Sequence, residues 1–376
     1  MPERLITACR ALTGAPADAV VECLGEVLTK EYGVTDTDLL LVDYRLAALL
    51  PLLTGSPAAR PGDPAWRSFD HQAEVTAGHV TYLPVTARGE RLGVLRYSPT
   101  PESATARAEL AEVATLLAHE LQSAGVGTDR YTIAARTRRL TLAAELQWEL
   151  LPGRSRIRPS FSLAGQLEPS YAVRGDSFDW AEHEGRLFLT VLNGMGDGMP
   201  AALLTSLATY ALRNARRAGL DLADQAALAD QAVFAQYRGA SHVAAMMLAL
   251  DLDTGGVEAV DAGSPKLKLL RDGRVVDQRL DAQFPLGMFE TSDYTTQRID
   301  LVRGDRLMIV SDGVSSASTR TGRYGDTALH RFVRRSGTMA PLQAVRSLLG
   351  DLRTFLGDSD LDDDAVAVCL DWTGAR

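Results

Sequence analysis

The chain has 376 residues, long for one domain, and its 46% hydrophobic and 23% charged content is that of an ordinary globular protein. A formal charge of −9 argues against a nucleic-acid binder, which needs a basic surface to neutralise phosphates. No run of about 18 apolar residues is present to cross a bilayer, and no apolar signal segment follows the Met-Pro-Glu-Arg start. The expectation is a cytoplasmic protein without nucleic-acid or membrane partners.

Residues 1–125 read as one unit. Leu5–Leu12 and Ala19–Tyr32 have helical spacing, with apolar residues three and four apart. Leu39–Tyr44 and Ala47–Leu53 read as strands, and Gly55–Asp70, rich in Pro and Gly, as a loop. Val80–Val85 and Leu92–Tyr97 flank Arg88-Gly89-Glu90 as a hairpin. Ala104–Ala124 is a long amphipathic helix. Helices around a small antiparallel sheet make a sensor-like α+β layout.

Residues 126–152 read as a connector. Gly125-Val-Gly127 breaks the preceding helix. Helical spacing resumes near Tyr131, places Leu142, Leu146 and Leu150 one turn apart, and stops at Pro152-Gly153. The apolar stripe of such a connector helix can serve as a homodimer seam or pack on its own domain.

Residues 153–376 form a unit of short strands: Phe161–Gln166, Ser177–Glu182, Arg186–Leu192, Val243–Leu250, Val257–Ala262, Lys266–Arg271, Thr295–Leu301, Arg306–Val310 and Ala365–Trp372. Helices interrupt them at Pro200–Ala218, Asp221–Tyr237, Asp326–Arg335 and Pro341–Phe355. Two antiparallel sheets flanked by helices account for this order.

Acidic residues recur where strands of this unit meet turns: Gly175-Asp176, Asn193-Gly-Met-Gly-Asp-Gly198, Ser311-Asp312-Gly313 and Asp362-Asp363-Asp364. Asp176 and Asn193 are equidistant from the turn signal Glu184-Gly185, so a hairpin centred there sets them opposite each other. Their Cβ atoms would then be about 4.5–5.5 Å apart. Asp312 follows one apolar run and Asp362 and Asp363 precede another, so they share an end if those strands are antiparallel. Oxygen donors gathered in this way suit hard divalent cations. Two such cations roughly 3.5–4 Å apart can activate water for in-line attack on phosphorus without a protein nucleophile. The glycines of 193–198 let backbone carbonyls approach a cation. The three cysteines, Cys9, Cys23 and Cys369, and the six dispersed histidines lack the spacing of a zinc site or a disulfide framework. No Gly-x-Ser-x-Gly elbow or phosphate-binding P-loop is visible.

These segments carry a family resemblance. Leu146-Gln-Trp-Glu-Leu-Leu-Pro152, Val173-Arg-Gly-Asp-Ser-Phe-Asp179, Asn193–Gly198 with Ala201-Ala202, Asp261-Ala-Gly-Ser-Pro265, Phe284-Pro-Leu-Gly287, Gly304-Asp-Arg-Leu307, Ser311-Asp-Gly-Val314 and Asp362–Ala365 occur in order. Together they resemble the PPM-type (type 2C-like) serine/threonine phosphatases of the SpoIIE-like bacterial branch, over about residues 140–373. The first unit resembles a GAF-like sensor domain in layout and hairpin pattern. The resemblance implies an α+β chain: GAF-like sensor domain 1–125, connector helix 126–152, and PPM phosphatase domain 153–376, an antiparallel β-sandwich flanked by helices.

It further implies two Mn²⁺ or Mg²⁺ sites held by Asp176, residue 193 as the bridging ligand, the carbonyl of Gly194, Asp312, and Asp362 with Asp363 as the alternative. The implied substrate is a phosphorylated signalling protein of the anti-sigma-factor-antagonist type. Several polar positions depart from the pattern: Asn193 replaces the bridging Asp, Asp197 a His or Lys, Ser264 a His, Ser316 a Glu and Arg174 a Gly. An amide oxygen ligates without charge and bridges two cations poorly. The expectation is reduced phosphatase activity, with a catalytically inactive pseudophosphatase as the alternative. Arg174 is a candidate phosphate clamp. Asn193-Gly194 is also a pair prone to deamidation, which would create the missing Asp.

Overall fold

The computed structural model describes residues 2–137, 139–170, 173–320, 322–357, 359 and 361–374. The chain divides into two compact units, Met1–Arg139 and Leu140–Arg376.

In the first unit, α1 (Glu3–Gly14) and α2 (Val20–Tyr32) bury Leu5, Ala8 and Leu12, and Val21, Leu24 and Leu28, at helical spacing. They are followed by β1 (Asp38–Val42), β2 (Leu49–Pro51), α3 (Pro64–His71), β3 (Val75–Ala77), β4 (Val80–Ala87), β5 (Glu90–Tyr97), α4 (Ala104–Ala124) and α5 (Arg130–Ala134). The five strands form an antiparallel sheet in the order β2-β1-β5-β4-β3. Leu39, Leu41, Leu83, Val85, Leu95 and Tyr97 of the sheet share one core with Leu110, Val113 and Leu117 of α4. The stretch expected to be a loop, Gly55–Asp70, contains most of α3. Pro64 stands in its first turn, where a missing N–H costs nothing, and Trp66 and Phe69, one turn apart, are buried. The dense Pro and Gly before it hid this short helix.

The expected single connector helix is instead two short helices. α5 belongs to the first unit, where Tyr131 joins the core and its hydroxyl donates to the Ala17 carbonyl at 2.7 Å. α6 (Leu142–Leu150) belongs to the second unit, capped by Thr141, whose side chain accepts from the Ala144 N–H. Arg138, within the expected helix, lies outside the described residues. The expected stripe is split, with Leu150 buried and Leu142 exposed. Packing of each half on its own unit overrode the helical spacing.

The second unit continues with β6 (Ser155–Ile157), β7 (Phe161–Glu168), β8 (Asp176–His183), β9 (Arg186–Gly194), α7 (Gly198–Arg217), α8 (Leu222–Tyr237), β10 (Val243–Asp251), β11 (Gly256–Ala262), β12 (Lys266–Arg271), β13 (Arg274–Asp277), β14 (Gln297–Asp300), β15 (Arg306–Val310), α9 (Asp312–Ser315), β16 (Ser318–Thr319), β17 (Gly322–Arg323), α10 (Tyr324–Arg335), α11 (Pro341–Leu356) and β18 (Ala365–Trp372). One antiparallel sheet runs β14-β11-β10-β9-β8, the other β13-β12-β15-β18-β7-β6. Helices α7 and α8 cover the first sheet: Leu204, Ala208, Ala226 and Val233 pack on Leu192, Ala245, Met247 and Val260. The two sheets meet where Phe178 of β8 lies against Gly165 of β7, a position with no room for a Cβ. β6, β13 and the β16–β17 hairpin were not expected, because short edge strands with charged residues carry little apolar alternation. No helix among the described residues is long and apolar enough to cross a membrane.

Candidate metal centre

The acidic turns gather at one end of the two sheets. β8 opens at Asp176 and β9 closes at Asn193-Gly194, and the hairpin register pairs Asp176 directly with Asn193. In the second sheet β15 and β18 are antiparallel, with Val310 paired to Ala367. Asp312 at the end of one and Asp363 before the other therefore lie side by side. The Asn193 side-chain amide donates to Asp312 Oδ1, joining the two sheets at this point.

Two glycines make the approach possible. A Cβ on Gly194 would lie 2.2 Å from Thr205 Oγ1, the hydroxyl that donates to the Gly175 carbonyl at 2.6 Å. A Cβ on Gly313 would lie 1.8 Å from the Asp364 carbonyl oxygen. Only residues without a side chain let the Thr205 hydroxyl and the Asp364 carbonyl come this close.

Asp176 is fully buried, and among the described residues neither carboxylate oxygen receives a hydrogen bond of ordinary geometry. Its pKa is raised well above the usual carboxylate range, first by burial and then by the negative charges of Asp364, Asp312 and Asp363, with the Ser311 hydroxyl opposing. Burial also raises Asp312, against its backbone hydrogen bonds and the positive charge of Lys266. Asp363 is pushed up to about 6 by burial and the charge of Asp312, with Arg174 pulling the other way. Carboxylates crowded out of water in this way must take up protons or find a cation.

Among the three acids before β18, the structure sets each apart. Asp362 is exposed and lines the rim of a cavity of about 260 Å³ with Arg174, Asp312, Ser316 and Asp363. Asp363 is the one whose charge is coupled to Asp312, while both it and Asp364 act on Asp176. Asp364 is fully buried and accepts from Gln147 Nε2, the Ser170 N–H and hydroxyl and the Arg174 N–H. Asp364, Gln147, Thr205 and Lys266 were not assigned roles from sequence. A signal for Gln147 exists, because it is a polar residue on the buried face of α6 beside Ala143, Ala144 and Leu150. Of the remaining departures, Asp197 is exposed before α7, and the Ser264 hydroxyl is buried without a partner among the described residues.

The residues fit a hard cation in part. The buried Asp176 carboxylate, without a hydrogen-bond partner among the described residues, and the raised acids beside it are donors whose crowded negative charge a cation would offset. Among the described residues, however, no three His, Cys, Asp or Glu side chains converge closely enough to enclose an ion as they stand. A bridging ligand is missing too, because residue 193 offers one neutral oxygen and spends its NH₂ on Asp312.

Residues 183–373 match the family described as Stage II sporulation protein E (SpoIIE). The chain belongs to the SpoIIE family. The match lies within the second unit and includes Asn193, Gly194, Asp312, Asp362 and Asp363. A relative, the phosphoserine phosphatase RsbU of Bacillus subtilis (strain 168), is 20% identical over 234 residues, 61% of this chain and 69% of the relative. The structure of the RsbU and RsbW domains of a Mycobacterium tuberculosis protein superposes with a TM-score of 0.50 at 22% identity, covering 60% of this chain and 64% of that one. The SiaA-PP2C domain of Pseudomonas aeruginosa gives 0.50 at 21% identity, covering 56% and 85%. This SpoIIE-family chain thus spans less than two thirds of the mycobacterial structure, and these likenesses establish its PP2C-type fold of antiparallel sheets.

Proposed function

We propose that the second unit is a metal-dependent serine/threonine phosphatase of reduced activity. Its substrate is a phosphorylated signalling protein of the anti-sigma-factor-antagonist type, and the first unit regulates it as a GAF-like sensor domain. The observation that carries the reading is Asn193 opposite Asp176: the frame of the centre is kept, and its shared ligand is an amide. Asp176, Asp312 and Asp363 would hold Mn²⁺ or Mg²⁺, with Asp362 at the rim. When bound, the cation neutralises phosphoryl charge and makes water acidic enough to act as nucleophile. Among the described residues the Arg174 guanidinium makes no hydrogen bond or ion pair. Arg174 lines the 260 Å³ cavity, and its planar fork would take two phosphoryl oxygens there.

A second reading, an inactive pseudophosphatase that only binds its partner, is favoured by the Asn193–Asp312 hydrogen bond, which ties the two groups together without a cation. One experiment separates the two. Asn193→Asp restores a fourth carboxylate and should raise Mn²⁺-dependent hydrolysis of an aryl phosphate at least about tenfold, equivalent to about 1.4 kcal/mol. Vigorous wild-type turnover that the substitution leaves unchanged would sink the degenerate-site account. Inactivity in both proteins favours the pseudophosphatase.

A further inference from the structure

We infer that Gln147 is a positioning residue for the acid cluster, acting from α6 through the Asp176 backbone and the Asp364 carboxylate. Gln147 is only 3% exposed. Its Nε2 donates to the Asp176 carbonyl at 2.6 Å and to Asp364 Oδ2 at 2.7 Å. Both partners are acceptors, so the amide must turn its NH₂ toward them, because its oxygen there would face two oxygens. Both N–H groups are thereby used, and Oε1 is left buried without a partner among the described residues.

Asp364 carries this anchor to the rest of the site. Oδ2 also accepts from the Arg174 N–H at 2.7 Å, and Oδ1 accepts from Ser170 N–H and Oγ at 2.8 and 2.9 Å. Its carbonyl oxygen packs against Gly313. Asp364 thus meets Arg174, two positions from Asp176, through its carboxylate and Gly313, next to Asp312, through its carbonyl, and it directly follows Asp363. The donors from Ser170 and Arg174 belong to the loop being held, whereas Gln147 enters from a helix. α6 is itself fixed by the Arg213 guanidinium, which donates to the Leu150 carbonyl at 2.6 Å while paired with Asp179. Partners that orient metal-holding acids commonly shift cation affinity by about 10–100-fold when removed.

The inference rests on the proposed reading of Asp176, Asp312 and Asp363 as cation-holding acids, and its test keeps the two separable. The full chain is compared with Gln147→Met, which keeps length and helix propensity but has no donor. The control is Val345→Ala on α11, a buried change in the same unit away from α6. Hydrogen exchange of the metal-free chain is followed in the segments containing Ser170 and Arg174, and Mn²⁺ affinity by calorimetry. Gln147→Met should speed exchange there about tenfold and weaken Mn²⁺ binding about 10–100-fold, while Val345→Ala does neither despite lowering the melting temperature. Unchanged exchange in Gln147→Met, or the same changes in the control, overturns the inference. Faster exchange with unaltered Mn²⁺ affinity also overturns it, leaving Gln147 a structural role. Failure of the wild-type chain to bind Mn²⁺ overturns the cation reading instead, and the exchange rates then decide for or against Gln147.

Discussion

Residue 193 shows how a single atom pair changes what a site can do. Replacing a carboxylate oxygen by NH₂ turns an acceptor into a donor, and here that donor is given to Asp312. The same geometry bears on chemical rescue by deamidation, which needs the Gly194 nitrogen to attack the Asn193 side chain. That nitrogen donates to the Gly175 carbonyl at 3.2 Å within a paired strand, and the amide is held by Asp312, so the folded chain resists this route. Gly194 offers a further test. Gly194→Ala drives a Cβ onto Thr205 Oγ1 and should cost about 1–3 kcal/mol in urea unfolding. In a Thr205→Ala background the obstructing atom is gone, so the same substitution should cost about 1 kcal/mol less. Strictly additive losses would show that the contact is relieved elsewhere. The pairing of Asp176 with Asn193 was legible in sequence because both are equidistant from one turn. Which of Asp362, Asp363 and Asp364 faces Asp312 was not, because three identical side chains carry no phase until the start of β18 is set.

Elements with a strong period were legible, and those whose form depends on neighbours were not. The β4–β5 and β8–β9 hairpins, α4, α7 and α11 follow from apolar spacing and turn residues. α3 and the broken connector do not, because a short helix gains its stability from packing more than from propensity. The first unit's helices also supply a pH prediction. Arg4 of α1 and the Tyr32 hydroxyl both donate to Glu109 of α4, at 2.5 and 3.0 Å to Oε2. The Arg4 hydrogen bond is the largest influence on Glu109 and holds its pKa below the ordinary carboxylate value. A depressed folded-state pKa means that the stabilisation is complete above the unfolded value, about 4.3, and is lost as pH falls through the folded one. Thermal melts of the full chain should show the first unit losing stability in acid. Glu109→Gln should be less stable at neutral pH, with a flatter acid limb. An acid limb identical in both proteins would remove Glu109 as its cause.

At the scale of the whole molecule, each unit has its own core, one formed by α1, α2 and α4 on a five-stranded sheet and the other by α7 and α8 on the β9–β11 face. Units so built fold independently. Residues 140–376 expressed alone should unfold in one cooperative transition by circular dichroism, and non-cooperative melting would show that the first unit completes the second. The sequence by itself determined the antiparallel hairpins and the set of acidic turns, because periodicity and turn chemistry are local. Only the tertiary structure decided that Asp363 is the acid coupled to Asp312, that Asn193 donates to Asp312 across two sheets, and that Gln147 and Asp364 anchor the cluster. Those facts depend on residues far apart in the chain meeting at one end of a sandwich, and no local pattern records which side chains will share that space.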